Sequence, residues 1–350
     1  MKVTIPVQIT DAMLVACSVP EIPPAAFNAA GAYALDARVA VPAGTALAVY
    51  ESLQDGNVGH APGSSPAWWR HVGDTYAVYD INATYGLGAR VIDPVAHLVY
   101  ESQLAANKGQ PFASGTAWLK VGVSNRWAAF DRLRNTQTVA PVDIVMSIAT
   151  GQRTGAIALI GLDAASVTVS VSVAGVEKYR KTTSLKLRRS YGWRDYFFGR
   201  FSYRKSVQFL DLPPYRNALI TVTISKPVGQ RGIGGVLLGN ATYIGDMQYK
   251  PRSDHLNFSD VDRDDWGNIK LNPKRSVPKV SGEVLFDKAL TRRILDLREE
   301  LNGVPAIWSG LDDFTLDYFE PLFIYGIHKE FSVSLEGPEH GAISLEVEEL

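Results

Sequence analysis

The residues of this chain that could do chemistry are few, and their spacing argues against most of it. Asp260, Asp262 and Asp264 alternate as at the opening of a calcium loop. However, no glycine stands at the sixth position, and Leu271 occupies the place of the bidentate glutamate. The six histidines (His60, His71, His97, His255, His328 and His340) show no ligand spacing, and with Cys17 as the only cysteine no zinc set is legible. Gly229-Gln230-Arg231-Gly232-Ile233-Gly234-Gly235 lacks the Lys-Ser/Thr of a phosphate loop and reads as a turn before a strand. No Gly-x-Ser-x-Gly elbow and no pair of catalytic carboxylates stands out. The expectation is a chain without catalysis, metal or cofactor.

Two stretches are chemically biased in another way. Residues 178 to 205 carry ten Lys/Arg against Asp195 alone, interleaved with Tyr179, Tyr191, Trp193, Tyr196, Phe197, Phe198, Phe201 and Tyr203. Such a mixture can bind single-stranded nucleic acid through phosphate contacts and base stacking. It can also be a β-hairpin whose aromatics enter a core while its arginines meet an acidic neighbour. A net charge of −1 and the lack of a nucleic-acid module favour the hairpin, so no nucleic-acid partner is expected. Residues 330 to 350 hold six glutamates and no Lys or Arg. A basic face and an acidic terminus on one chain suit a head-to-tail ring, with a solvated terminus as the plainer alternative. The expected subunit contacts are Arg188, Arg189, Trp193, Arg194 and Arg200 on one side and Glu346, Glu348 and Glu349 on the other.

Binding chemistry, if the chain has it, lies in a tandem repeat. Residues 31 to 73 recur in degenerate form at 82 to 122. Tyr50-Glu51-Ser52, Asn57 and Gly59 match Tyr100-Glu101-Ser102, Asn107 and Gly109 at an offset of 50, which extended to the tryptophans pairs Trp68 with Trp118. Upstream, Tyr33 and Arg38-Val39 match Tyr85 and Arg90-Val91 at an offset of 52. Self-similarity at a fixed period means one structural unit used twice. A unit of this size has little core beyond its aromatics, each of which buries about 150–250 Å². On that pairing Trp68 and Trp118 are expected inside, with Tyr50 and Tyr100 as further core. Alternation along a strand then turns Trp69 outward, free to stack on a sugar or dock on a subunit. Trp69, Tyr50, Trp68, Tyr100 and Trp118 are the candidate glycan-binding residues.

Around the repeats the chain reads as mainly β. Thirty glycines, nineteen prolines and a 46% hydrophobic, 20% charged composition fit an ordered protein with many turns. Residues 1–30 suggest a strand (Val3, Ile5, Val7 and Ile9 alternating with polar residues) and a linker at Pro20-Glu21-Ile22-Pro23-Pro24. Small β modules follow at 31–75 and 76–123. Residues 124–250 show period-2 strands (157–160, 167–173 and 219–224) and suggest a β-sandwich. Residues 251–350 suggest an α+β assembly domain with one helix from Asp287 to Leu301, where Leu290, Ile294, Leu297 and Leu301 share a face and Asn302-Gly303 supplies the stop. Leu14-Val15-Ala16-Cys17 looks like a lipoprotein cleavage box, but Thr4, Pro6, Gln8, Thr10 and Asp11 break the apolar run that a signal peptide needs. Cys17 is expected as a buried thiol in a strand, and no membrane partner or export route is expected.

The repeats resemble small chitin-binding-type carbohydrate-binding modules, through Tyr33, Val39, Tyr50, Gly59, Pro62 and Trp68 in the first copy and Tyr85, Val91, Tyr100, Gly109 and Trp118 in the second. The second copy departs in its loop, where Gly109-Gln110-Pro111 brings the proline one residue closer. Residues 125 to 250, opening Asn125-Arg126-Trp127, are loosely similar to a galactose-binding, discoidin-like jelly roll. The order of parts resembles virion proteins of tailed bacteriophages. That resemblance implies a structural subunit of a tail or baseplate, a homo-oligomer meeting other tail proteins. It would reside in the host cytoplasm and then the virion, with glycan-binding modules on display. The alternative is a carbohydrate-binding, receptor-recognising protein for a cell-surface polysaccharide; a glycan-cleaving tail enzyme ranks third.

Overall fold

The computed structural model describes residues 1–350 except 134, 188–191, 200–201, 249, 264–265 and 336, and leaves the side chains of 195 and 196 undescribed. The fold is mainly β, as expected, with its one long helix near the C-terminus. Valine, isoleucine and threonine alternation gives the body its strands. Ala218–Ser225 buries every second residue and Ser166–Val173 does so through Val171, and the two pair antiparallel from Ser166↔Ser225 to Val173↔Ala218. They form the middle of a five-stranded sheet ordered Val176–Ser184, Ser166–Val173, Ala218–Ser225, Ile144–Ile148 and Leu14–Cys17. Cys17 pairs in register with Met146 and is half-buried; burial pushes its thiol up.

A second, ten-stranded sheet runs Val207–Phe209, Ala156–Ile160, Gly235–Tyr243, Lys2–Pro6, Ala306–Ser309, Phe323–Ser334, His340–Glu349 and Ser276–Asp287, ending with Asp246–Met247 and Arg252–Asn257. Ala156–Ile160 is buried at all five positions because both faces are covered. One core cluster joins residues of both sheets, including Leu159, Phe209, Val169, Val222 and Ile144, which makes this part a sandwich. A second cluster lies where the helix Thr291–Glu300 lays Ile294 and Leu297 with Leu301 near Val284, Phe286, Ile343 and Leu345. Asp287 caps the preceding turn by accepting from the Ala289 N–H (2.8 Å).

Two expected boundaries are corrected. No gap falls at residue 250, because the sandwich and the C-terminal region share the ten-stranded sheet. The strand Lys2–Pro6 joins them, pairing with Gly235–Tyr243 on one side and Ala306–Ser309 on the other. Nor is 20–24 a linker. Val19, Pro20 and Glu21 are buried, and Pro20 packs so closely on Gly73 that a Cβ there would stand 3.3 Å from the proline ring. Pro20 and Glu21 are held by the elements they touch, whereas Ile22 stays exposed and Pro23 and Pro24 are half-buried.

Candidate functional site

Each module is built on three antiparallel strands closed by a tryptophan, and in the second Ala77–Val78 adds a parallel strand beside Arg90–Asp93. In the first, Arg38–Ala43, Ala46–Ser52 and Trp69–Thr75 pair in that order. In the second, Arg90–Asp93, Leu98–Ser102 and Trp118–Val123 do the same. Both have the same irregularity before the tyrosine, between Val49 and Tyr50 and between Val99 and Tyr100. Gly59 (φ 73°) and Gly109 (φ 68°) hold the same left-handed turn. Asn57 Nδ2 donates to Ser52 Oγ (3.0 Å) and Asn107 Nδ2 to Ser102 Oγ (3.2 Å).

The aromatic centre corrects the expected register. Ser52 lies opposite Trp69, and Ser102 opposite Trp118. Trp69 Nε1 donates to the His60 carbonyl (2.8 Å) as Trp118 Nε1 does to that of Gln110 (2.9 Å). Tyr33 meets Trp69 edge-on at 5.2 Å, and Tyr85 meets Trp118 at 5.3 Å. Trp69 is 3% exposed and Trp118 4%. Trp69 is therefore the inner residue, and Trp68, expected inside, is half-exposed. Alternation along the strand holds as expected, but the repeat offset is 49 after the loop. Pro62 and Pro111, 49 apart, carried that signal. Two further ring partners, Phe27 and Tyr79, lie just upstream of the repeat as read and keep the offset of 52 (centroids 6.0 and 5.5 Å from the tryptophans).

The outer faces differ. In module one Trp68 stacks on His60 (4.0 Å, 13°), and Tyr50 lies 5.2 Å from His71. In module two the position of Trp68 is filled by buried Ala117, and Tyr100 stacks instead on Phe112 (4.0 Å, 14°). A half-exposed stacked aromatic can accept the apolar face of a sugar ring. Trp69 and Trp118 are too buried to do so, which leaves Trp68, Tyr50 and Tyr100 from the expected set.

Glu51 is buried between Arg38 (2.9 Å) and Arg70 (2.5 Å). Burial alone would raise its carboxyl, but the hydrogen bonds and charge of the two arginines together hold it below the ordinary 4.5. Glu101 has Arg90 at 2.9 Å, and Leu119 stands where Arg70 does in the first copy.

Module two is tied to the body by a buried cluster that sequence reasoning missed. The Glu21 carboxylate accepts from Ser124 Oγ (2.7 Å) and Trp127 Nε1 (3.1 Å) and lies 3.0 Å from His97 Nδ1. His97 also reaches Asp11 (3.1 Å) through Nε2 and stacks on Trp127 at 4.0 Å. Module one is held by Arg38 donating to the Ser18 carbonyl (3.1 Å) and Thr75 Oγ1 donating to that of Glu21. A cleft of about 410 Å³ opens where both modules meet the body, lined among others by His71, Tyr76, Val99, Val121, Gln137 and Gln230.

The expected subunit contacts divide. Arg188, Arg189 and Arg200 lie outside the described residues, whereas Trp193 and Arg194 sit exposed on the short helix Trp193–Phe198. Glu346, Glu348 and Glu349 lie on a paired strand, not on a loose terminus. They meet Lys279 (2.6 Å), Lys329 (3.2 Å) and Arg275 (3.0 Å), so their charge is largely answered within the chain. Of the basic stretch, Tyr179 and Tyr203 pack on the core, Arg180 pairs with Glu177 and Lys181 with Asp211, and Arg204 caps the carbonyls of Phe314 and Thr315. Asp260 is engaged by Lys274 (2.5 Å), and among the described residues no group of three or more His, Cys, Asp or Glu is placed to hold a metal. Among the described residues, too, no helix is long and apolar enough to cross a membrane.

The fold and its paired surface define a class, a mainly-β body carrying two copies of one aromatic module. Comparison of the chain with protein-family models, with curated proteins and with solved structures finds no match in any of the three.

Proposed function

We propose that this chain is a structural subunit of a bacteriophage tail or baseplate. It works as a symmetric homo-oligomer beside other tail proteins, and no catalytic step is assigned to it. The observation that carries the reading is the way the two modules are mounted. Both are fastened to one sheet-built body through the 17–27 segment, which is buried at Val19, Pro20 and Glu21, an arrangement suited to presenting copies of a small surface in fixed relation. In this reading the chain passes from the host cytoplasm into the virion. Sizing of the purified chain in solution, with mass spectrometry of purified particles, tests it. The expected outcome is a discrete oligomer and the chain's peptides in the particle. A chain that stays monomeric and is missing from particles overturns it.

A second reading, glycan recognition, is favoured by Trp68 stacked half-exposed on His60. Single modules would bind weakly, and copies in an oligomer would gain by avidity. On a glycan array Trp68→Ala is expected to reduce binding while the melting curve stays in place. A blank array for the wild-type oligomer would make the modules spacers or docking surfaces.

A further inference from the structure

Between the two modules and the body lies the cleft of about 410 Å³, and each of the three supplies part of its lining. Module one gives His71, module two gives Val99, Val121 and Val123, and the body gives Gln137 and Gln230. Tyr76, on the link between the modules, completes the set. At His71 and Gln230 the cleft continues into a more open groove of about 790 Å³ that also takes in Arg70, Asp143 and Arg231. Tyr50 stands beside this junction, its ring 5.2 Å from that of His71.

The walls are fixed in place. Pro20 packs on Gly73 at the edge of the cleft, Thr75 donates to the Glu21 carbonyl, and Ser124 and His97 meet the Glu21 carboxylate. The cleft is therefore formed before anything enters it. A preformed cleft of this size, part apolar and part polar, where separate units meet, is the usual form of a ligand site.

The chemistry of the lining selects the ligand. Each charged residue along the cleft and groove is already paired within the chain: His71 with Asp74 (2.9 Å), Arg70 with Glu51 (2.5 Å) and Arg231 with Asp143 (3.1 Å). A charged ligand would find no unanswered charge to meet. The three valines make an apolar wall on which Val121 is 45% exposed. The polar groups that remain are two amides and a phenol. Gln230 is exposed, Gln137 gives only one N–H to the Gly161 carbonyl (2.9 Å), and Tyr76 accepts from Arg90 (3.3 Å) and so keeps its own proton to donate. Amides and phenols both donate and accept, as sugar hydroxyls do, and an apolar wall suits the C–H face of a sugar ring. We infer that the cleft between the modules binds an uncharged oligosaccharide, an inference that deepens the glycan-recognition reading above and rests on it.

The test places the full chain on an array of neutral hexose and N-acetylhexosamine oligomers, printed beside sialylated, uronic-acid and sulfated ones. Calorimetric titration with the neutral oligomer that gives the strongest signal then compares wild type with Val121→Arg, Gln230→Ala and Trp68→Ala. Val121 and Gln230 are exposed, and an unchanged thermal melt shows that each variant folds. The expected result is a wild type that binds neutral oligomers, with affinity lowered about tenfold or more by the charge and bulk of Val121→Arg and about threefold by Gln230→Ala. If Trp68→Ala weakens binding while both cleft variants bind as wild type does, the cleft is overturned and glycan recognition stays on the outer face of module one. Binding confined to the anionic oligomers overturns the inference and leaves glycan recognition standing. A wild type that binds nothing on the array overturns both.

Discussion

Module one and module two share their interior and differ wherever they face outward. Inside, a tryptophan, a tyrosine, the Asn-Ser pair and a left-handed glycine recur with distances that agree within a few tenths of an ångström. Outside, Trp68 on His60 in one is replaced by Tyr100 on Phe112 in the other, and a glutamate between two arginines by a glutamate with one. The attachments also differ: backbone carbonyls of the 18–21 segment hold the first module, and a buried side-chain cluster holds the second. The interior is what a 40-residue unit needs in order to fold at all, and the two copies share it. The exterior and the attachment are under no such requirement.

The sharpest way to break this comparison is to remove the inner rings. Trp69→Ala and Trp118→Ala should each cost about 3–5 kcal/mol, whereas Trp68→Ala should cost less than about 1 kcal/mol. Denaturant unfolding monitored by signals from each module measures this. If Trp68→Ala proves as costly as Trp69→Ala, the one-residue shift between the copies is wrong.

The attachments come next. His97→Ala leaves the buried Glu21 carboxylate one partner short, with an expected cost of about 1–3 kcal/mol. Amide exchange should then rise in residues 90–123 and stay near wild type in residues 38–75. Equal loosening of both modules would show that the cluster serves the whole body.

Acid should separate the modules further. The folded Glu51 carboxyl sits below its ordinary value, so its contribution is fully present above about pH 5 and is lost as pH falls through the lower folded value. Arg70→Leu, which gives module one the residue found in module two, should flatten the acid side of its stability curve, and Glu51→Gln should flatten it more. Melting temperatures measured between about pH 6 and pH 3 decide the point.

The smallest expected effect is at Asp36, left-handed at φ 63° where module two has Gly88 at 76°. Asp36→Gly exchanges mild strain for a freer unfolded chain and should change stability by no more than about 0.5 kcal/mol. A larger change in calorimetry would mean that the Asp36 side chain has a role of its own.

Some of this could be read directly from residue order. The repeat showed in Tyr50-Glu51-Ser52 and Tyr100-Glu101-Ser102, the body strands in the alternation of 166–173 and 218–225, and the helix in the spacing of Ile294, Leu297 and Leu301. These are local patterns, fixed by neighbours a few residues apart and by a period that matches strand or helix geometry. The tertiary structure decided what depends on distant partners. The pairing of Ser52 with Trp69 set Trp69 inward and left Trp68 half-exposed. The loop of module two, one residue shorter, makes Trp69 and not Trp68 the counterpart of Trp118. Side chains on a strand alternate, so a slip of one exchanges the faces. The strand Lys2–Pro6 entered a sheet between segments more than 200 residues away. Glu21 and His97, unremarkable in sequence, became a pair with the glutamate buried and the histidine largely so, and the glutamates of 346–349 found basic partners on or beside neighbouring strands. Burial and charge pairing are properties of the assembled chain, so residue types could name the participants but not which of them would meet.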